Sequence, residues 1–268
     1  MEHYCSLTSR FALSGTRYNI VIGVDGKGAS VELLAASAVC ILCGIFATRV
    51  WQDWQLRHRS YHLSWAIALT MACIAAAAYV GFLIFGRPIF LFRIYYLFGA
   101  ALNVTYLGLG SLFLYFRRSL HPLVFALILL SLMTTIAVMT APYDQYALLR
   151  ATGAGTHVFP LGPMIWLLII NNTFGTICLV GVAIISGVRA FRRADFRPQA
   201  RANFTIAVGA LIVAFAGTSA RLFAASSFWF TMLVGWSVLF CGFLLAGRSA
   251  VPRPTSAVLS TKPQVPQS

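Results

Sequence analysis

Seven separate apolar runs divide this chain, near residues 29–49, 62–86, 89–116, 122–141, 161–187, 204–222 and 228–247. Each is long enough for the roughly 20 helical residues that cross a hydrocarbon core of about 30 Å. Hydrocarbon offers backbone N–H and C=O groups no water, so such runs fold as helices that satisfy those groups internally. The expected architecture is an all-α transmembrane bundle of seven helices over residues 29–247. These spans use nearly everything between Ala29 and Gly247, which leaves no room for a soluble catalytic or nucleotide-binding domain. Composition agrees: 10% of the residues are charged and the mean hydropathy is +0.81, against about a quarter charged in soluble domains.

The flanks differ in kind. Residues 1–28 lack the basic start, apolar centre and small-residue cleavage site of a signal peptide, so they read as a short tail and the first span as an uncleaved anchor. Residues 248–268, "RSAVPRPTSAVLSTKPQVPQS", are rich in Pro and Ser without apolar period, which predicts a disordered tail.

A formal net charge of +14 raises nucleic acid as a partner, but the basic residues sit in the connectors and report topology instead. Placing connectors on alternate sides puts 13 of the 20 Lys and Arg on the side of the first, third and fifth connectors and the C-terminal tail: Arg49, Arg57, Arg59, Arg117, Arg118, Arg189, Arg192, Arg193, Arg197, Arg201, Arg248, Arg253 and Lys262. The other side receives Arg10, Arg17, Lys27, Arg87, Arg93, Arg150 and Arg221. The positive-inside rule then predicts an outer N-terminus and a cytoplasmic C-terminus, with the inner arginines against anionic lipid headgroups.

Several chemistries lack their residues. The acids are Glu2, Asp25, Glu32, Asp53, Asp144 and Asp195, and only Glu32 falls within a span, so a central proton relay has no carboxylate to use. The lysines, Lys27 and Lys262, lie in tails, which excludes a retinal Schiff base. His3, His58, His121 and His157 are in tails or loops and His62 is at a helix entry, so neither haem nor a buried metal is expected. Cys40 and Cys43 form a C-x-x-C, but deep in an apolar span and away from the cations that lower a thiol pKa they read as packing residues. No cofactor, metal or catalytic residue is expected, and the chain does not read as an enzyme.

The polar residues left inside the spans carry the candidate site. "RPIFLFRIYYLFGAALN" places Arg93 about one turn into the third span, followed by Tyr95, Tyr96 and Asn103, and "AGTSARLF" places Arg221 at the outer end of the sixth. With Glu32, these charges converge on the outer leaflet. One reading is an outward-facing pocket of Arg93, Tyr96, Asn103, Asn172, Arg221 and Glu32 that binds a small polar or anionic molecule. The other pairs Arg93 with Glu32, lets Arg221 snorkel to the interface, and assigns the tyrosines to the aromatic belt.

"LLIINNTFGTICL" sets Asn171 and Asn172 near midplane, at the depth of Asn103. Adjacent residues point about 100° apart on a helix, so the pair demands partners over a wide arc. With Gly175 and Thr176 behind them and Gly99, Gly108 and Gly110 on the third span, they read first as fasteners between closely packed helices, and as a ligand site only if the bundle is hollow there. Three N-x-[ST] triplets, at Asn103, Asn171 and Asn203, lie in spans or at a cytoplasmic helix start and are not expected to carry sugar.

The first three and last three spans suggest a weak internal pair about an odd central helix, a plan some transporters use. No proline falls at mid-membrane, which weighs against broken helices at a binding site. The outer connector 141–160, with Tyr143, Asp144, Tyr146, Arg150 and His157, either covers the mouth of the bundle or is a solvated link. The arginine-rich connector 189–201 is a candidate surface for a protein partner.

The stretches "FRIYYLFGAALNVTYLGLGSLFLYF", "RANFTIAVGALIVAFAGTSARLF" and "GWSVLFCGFLLA" resemble uncharacterised seven-helix membrane proteins of bacteria. The resemblance implies a bacterial cytoplasmic membrane and brings no activity with it. Residues 1–20 fall outside it, which leaves open a native start downstream of Met1.

Overall fold

The computed structural model describes residues 26–116, 120–155, 158–160, 162–192, 197–222 and 227–249, with side chains from Ser30 onward except those of 217–222 and 248–249. The helices among them are α1 (Gly26–Arg57), α2 (Ser60–Ile84), α3 (Ile89–Tyr115), α4 (His121–Thr140), a short α5 (Gln145–Leu149), α6 (Pro163–Phe191), α7 (Arg197–Leu222) and α8 (Ser227–Ser249). All but α5 are long and apolar enough to cross a membrane. The expected tails lie outside the described residues, save that α1 already begins at Gly26 and α8 reaches Ser249.

The ends follow local chemistry. His58, at φ 47°, turns the chain in the two-residue link between α1 and α2. Gly86 at φ 79° and Arg87 at φ 64° make the reversal after α2, a conformation that costs glycine nothing. Pro88, Pro122 and Pro163 then open α3, α4 and α6, where a missing N–H breaks no intrahelical bond. The main departure from expectation is α1, which runs through the polar "RVWQDWQLR" to Arg57 instead of stopping near residue 49.

Six helices close a ring in the order α1, α2, α3, α6, α7, α8, with α8 returning to α1. The helix α4 stands outside, packed on α3 and α6. Each half of the ring is three consecutive helices, and the two halves meet at α3 with α6 and at α8 with α1. The helix left outside the ring, α4, is the one that separates the two halves along the sequence.

Small residues set the seams, as expected where lipid removes the hydrophobic drive between helices. A Cβ on Gly108 would fall 2.7 Å from the Gly175 carbonyl oxygen, and one on Gly175 would collide with the Val104 carbonyl, so α3 and α6 touch backbone to backbone. Gly209 lies against the Leu239 backbone and Gly235 against Val213, closing α7 on α8. Ser64 Oγ and Trp65 Nε1 donate to the carbonyls of Tyr106 (2.7 Å) and Leu107 (3.1 Å), tying α2 to α3. Cys40 meets Cys73 of α2, with sulfurs 4.0 Å apart, and Phe46 of α1 packs on Phe240 and Phe243 of α8.

Candidate functional site

The ring is hollow. Between its middle and the proximal end, where α1 begins, lies a cavity of about 570 Å³, within the range of small-molecule sites. All six ring helices contribute: Val39 from α1, Ala72 and Ala76 from α2, Tyr95, Tyr96, Gly99 and Asn103 from α3, Leu168, Asn172 and Thr176 from α6, Ala210 and Val213 from α7, and Trp229, Met232 and Trp236 from α8. A larger groove, of about 1260 Å³, runs along α2, α3 and α4. It lies on the outside of the ring, beside exposed Leu114, Phe116 and Ile128, and runs to Arg59, Ser60 and His121 at the distal connectors.

Aromatic rings form the proximal roof. Tyr79 sits 4.9 Å from Tyr95 and 4.8 Å from Trp229, and Phe82 packs on Phe92 at 5.2 Å. The connector after α4 folds down onto this layer: Ala151, Gly153, Val158 and Phe159 are buried, and Gly153 and Ala154 line the cavity. Tyr95 donates its hydroxyl to the Gly153 carbonyl, and Arg87 donates to those of Leu149 and Ala151. The connector therefore covers the mouth of the ring, but with small and apolar residues. Tyr146 is 82% exposed, Arg150 is exposed, and Asp144 caps α5 by accepting from the N–H of Tyr146 (2.7 Å) and Ala147 (3.2 Å). His157 lies outside the described residues. Leu107, Leu179 and Leu239 form the floor, backed by Phe46, Val50, Trp65 and Phe243.

Of the six residues expected at the site, three line this cavity: Tyr96, Asn103 and Asn172. Asn103 is only 4% exposed and its Oδ1 has no hydrogen-bond partner. An unpaired amide oxygen in apolar surroundings is costly, and Asn103 stands in the cavity wall. It lies just past a π-helical segment, Tyr96–Leu102, which replaces the α-helical pattern of α3 along the cavity wall. Such insertions are frequent at functional sites.

The asparagine pair divides its work. Asn171 is fully buried: its Nδ2 donates to Thr134 Oγ1 of α4 (3.0 Å) and the Leu167 carbonyl (2.8 Å), and its Oδ1 accepts from Thr105 Oγ1 of α3 (3.0 Å). It fastens three helices. Asn172, about 100° around the helix, donates from Nδ2 to the Ala100 carbonyl in the π segment (2.7 Å) and to the Leu168 carbonyl (3.0 Å), at the cavity wall.

The charged residues go elsewhere. Arg93 donates to the carbonyls of Met139 and Ala141 (2.8 Å to the latter) at the C-terminal end of α4, and lies 5.7 Å from the Tyr143 ring centre. A guanidinium there satisfies orphan carbonyls and complements the helix dipole. Glu32 accepts from Tyr79 at 2.9 Å, so the expected pairing of Arg93 with Glu32 gives way to two separate partnerships. Neither side chain lines the cavity. The side chain of Arg221 lies outside those described. In the arginine-rich connector, Arg189 stacks over Tyr115 at 5.0 Å, Arg192, Arg197 and Arg201 are exposed, and 193–196 fall outside the described residues.

The α8 contribution escaped the sequence analysis. Trp229, Met232, Trp236 and Leu239 recur at three, four and three residues, the spacing of one helix stripe, and that signal was available. Comparison with protein-family models, curated proteins and solved structures finds no match.

Proposed function

We propose that this chain is a non-enzymatic binding or transport protein whose central cavity takes a small, neutral, largely apolar molecule bearing one hydrogen-bonding group. The observation that carries this reading is the cavity of about 570 Å³ itself, apolar and aromatic apart from a few polar residues, Asn103, Asn172 and Thr176 among them, in its wall. The anionic ligand considered from sequence has less support, because no charged side chain among the described residues lines the cavity. Tyr95, Tyr96, Trp229 and Trp236 supply the aromatic walls usual in such sites, and the leucine floor is an apolar constriction of the kind that gates by excluding water.

The setting we propose is a bacterial cytoplasmic membrane, with the proximal end outside and the distal arginines against anionic headgroups. Single cysteines at positions 150 and 192, both exposed, test this orientation. A membrane-impermeant maleimide is expected to label the first and not the second in intact cells, and the reverse pattern overturns it. A thermal-shift screen of neutral small molecules on the purified protein tests the binding reading. Stabilisation by a hit is expected to vanish in Asn103→Leu, and a hit that stabilises both proteins equally removes the cavity as its site.

A further inference from the structure

On the reading that the central cavity holds a ligand, we infer that this ligand is a single-chain amphiphile dissolved in the bilayer, with a neutral hydroxyl head, and that it enters sideways between α6 and α7.

Exposure around the cavity wall is confined to one seam. Among the described lining residues only Thr173, Ile177 and Ala214 are exposed, the first two on α6 and the third opposite them on α7; Ile177 is 66% exposed. Elsewhere the described residues of the wall are packed against their neighbours. Gly108 and Gly175 join α3 to α6, a Cβ on Gly99 would lie 3.1 Å from Ala75 of α2, and Gly209 and Gly235 join α7 to α8. Ala36, Val39, Trp229 and Trp236 are buried where α1 faces α8. The helices α6 and α7 touch near the distal end, where a Cβ on Gly187 would meet Phe204 at 3.1 Å, whereas Gly181, six residues nearer the opening, has nothing within 4 Å.

Depth decides what the opening faces. Thr173 and Ile177 lie ten and fourteen residues from Pro163 in a 29-residue helix, roughly 15 and 21 Å along it. That is the centre of the span, in hydrocarbon rather than headgroups or water. The proximal route is covered by the aromatic roof and buried connector, and the distal route by Leu107, Leu179 and Leu239. A molecule using the open seam must already be dissolved in lipid, which selects an alkyl chain. Asn103, Asn172 and Thr176 put amide and hydroxyl groups in the cavity wall, which selects a head that can hydrogen-bond, and the absence of a charged lining side chain among those described selects a neutral one. A fatty alcohol meets all three conditions.

The test uses the full chain in phosphatidylcholine vesicles containing a diazirine-tagged fatty alcohol, with flash photolysis and peptide mapping. Wild type is expected to be labelled at Leu168, Thr176 and Met232 inside the cavity, with labelling competed by untagged fatty alcohol. Plugging the seam by Ala214→Trp, or from the other side by Ile177→Trp, is expected to slow cavity labelling about tenfold. Ile136→Trp on lipid-facing α4 is expected to leave it unchanged. Cavity labelling as fast in both plugged variants as in wild type overturns sideways entry and leaves the cavity as a site. Faster labelling by a water-soluble diazirine than by the fatty alcohol also overturns it. Labelling confined to outward residues such as Ile184 removes the binding reading itself.

Discussion

The two sides of α6 are built to opposite specifications. Toward α3, Gly175 lets backbones touch and Asn171 fastens three helices, with Thr105 and Thr134 as its partners. Toward α7, the same stretch of helix presents Thr173 and Ile177 to the outside and leaves Gly181 facing open space. A membrane helix has little hydrophobic reason to prefer a protein neighbour over a lipid one, so close approach is made only where small residues and hydrogen bonds provide it. Around Thr173 and Ile177, where the described residues show neither, α6 is exposed. One helix thus serves as a strut on one face and as the edge of a cavity on the other.

Two glycines on α6 break this comparison most directly. Gly175→Ala pushes a methyl into the Val104 carbonyl, with backbone on both sides and no flexible side chain to yield. It is expected to destabilise the protein by about 1–3 kcal/mol, the usual cost of overpacking. Gly181→Ala adds the same methyl to empty space and removes a glycine from a helix interior, so a gain of roughly 0.5–1 kcal/mol is expected. Unfolding titrations of the two purified variants in mixed micelles measure the contrast. Equal effects at both positions dissolve it.

The adjacent amides give a smaller contrast. Asn171→Leu leaves the hydroxyls of Thr105 and Thr134 without their common partner in a dry three-helix contact, at a cost of about 1–2 kcal/mol. Asn172→Leu removes only bonds donated to the Ala100 and Leu168 carbonyls at the cavity wall, and about 0.6 kcal/mol is expected. The same titration separates them, and a larger loss at Asn172 reverses the assignment of fastener and wall.

These differences show which kinds of information a linear chain carries. The spans were readable because apolar length is a one-dimensional property, and the observed helices start and stop within a few residues of the expected positions except at α1 and α7. There, polar turns such as "RVWQDWQLR" and "RPQARAN" continue as helix beyond the apolar run. That Asn171 and Asn172 would need different partners was also readable, because it follows from helix geometry. Their actual partners were not, since rotation about the helix axis depends on which neighbour arrives, and Thr134 belongs to a helix outside the ring. The exclusion of α4 was hidden for the same reason: a helix apolar all round looks alike whether lipid or protein surrounds it. Arg93 was misplaced because depth alone puts it level with the pocket, while its reach to the end of α4 depends on the fold of the connector.

The smallest expected effect falls on the residue with the most functional weight. Asn103 Oδ1 has no partner to lose, so Asn103→Leu exchanges an unsatisfied amide oxygen for an apolar group of similar size. Where a polar group makes no compensating bond, removing it is neutral or stabilising. The stability of Asn103→Leu is therefore expected within about 0.5 kcal/mol of wild type, while ligand-induced stabilisation disappears. A fastener and a binding group are distinguished by that split, because the first loses stability when removed and the second loses only the ligand. A cost above about 1 kcal/mol for Asn103→Leu would place Asn103 with Asn171, as a residue that holds the bundle together.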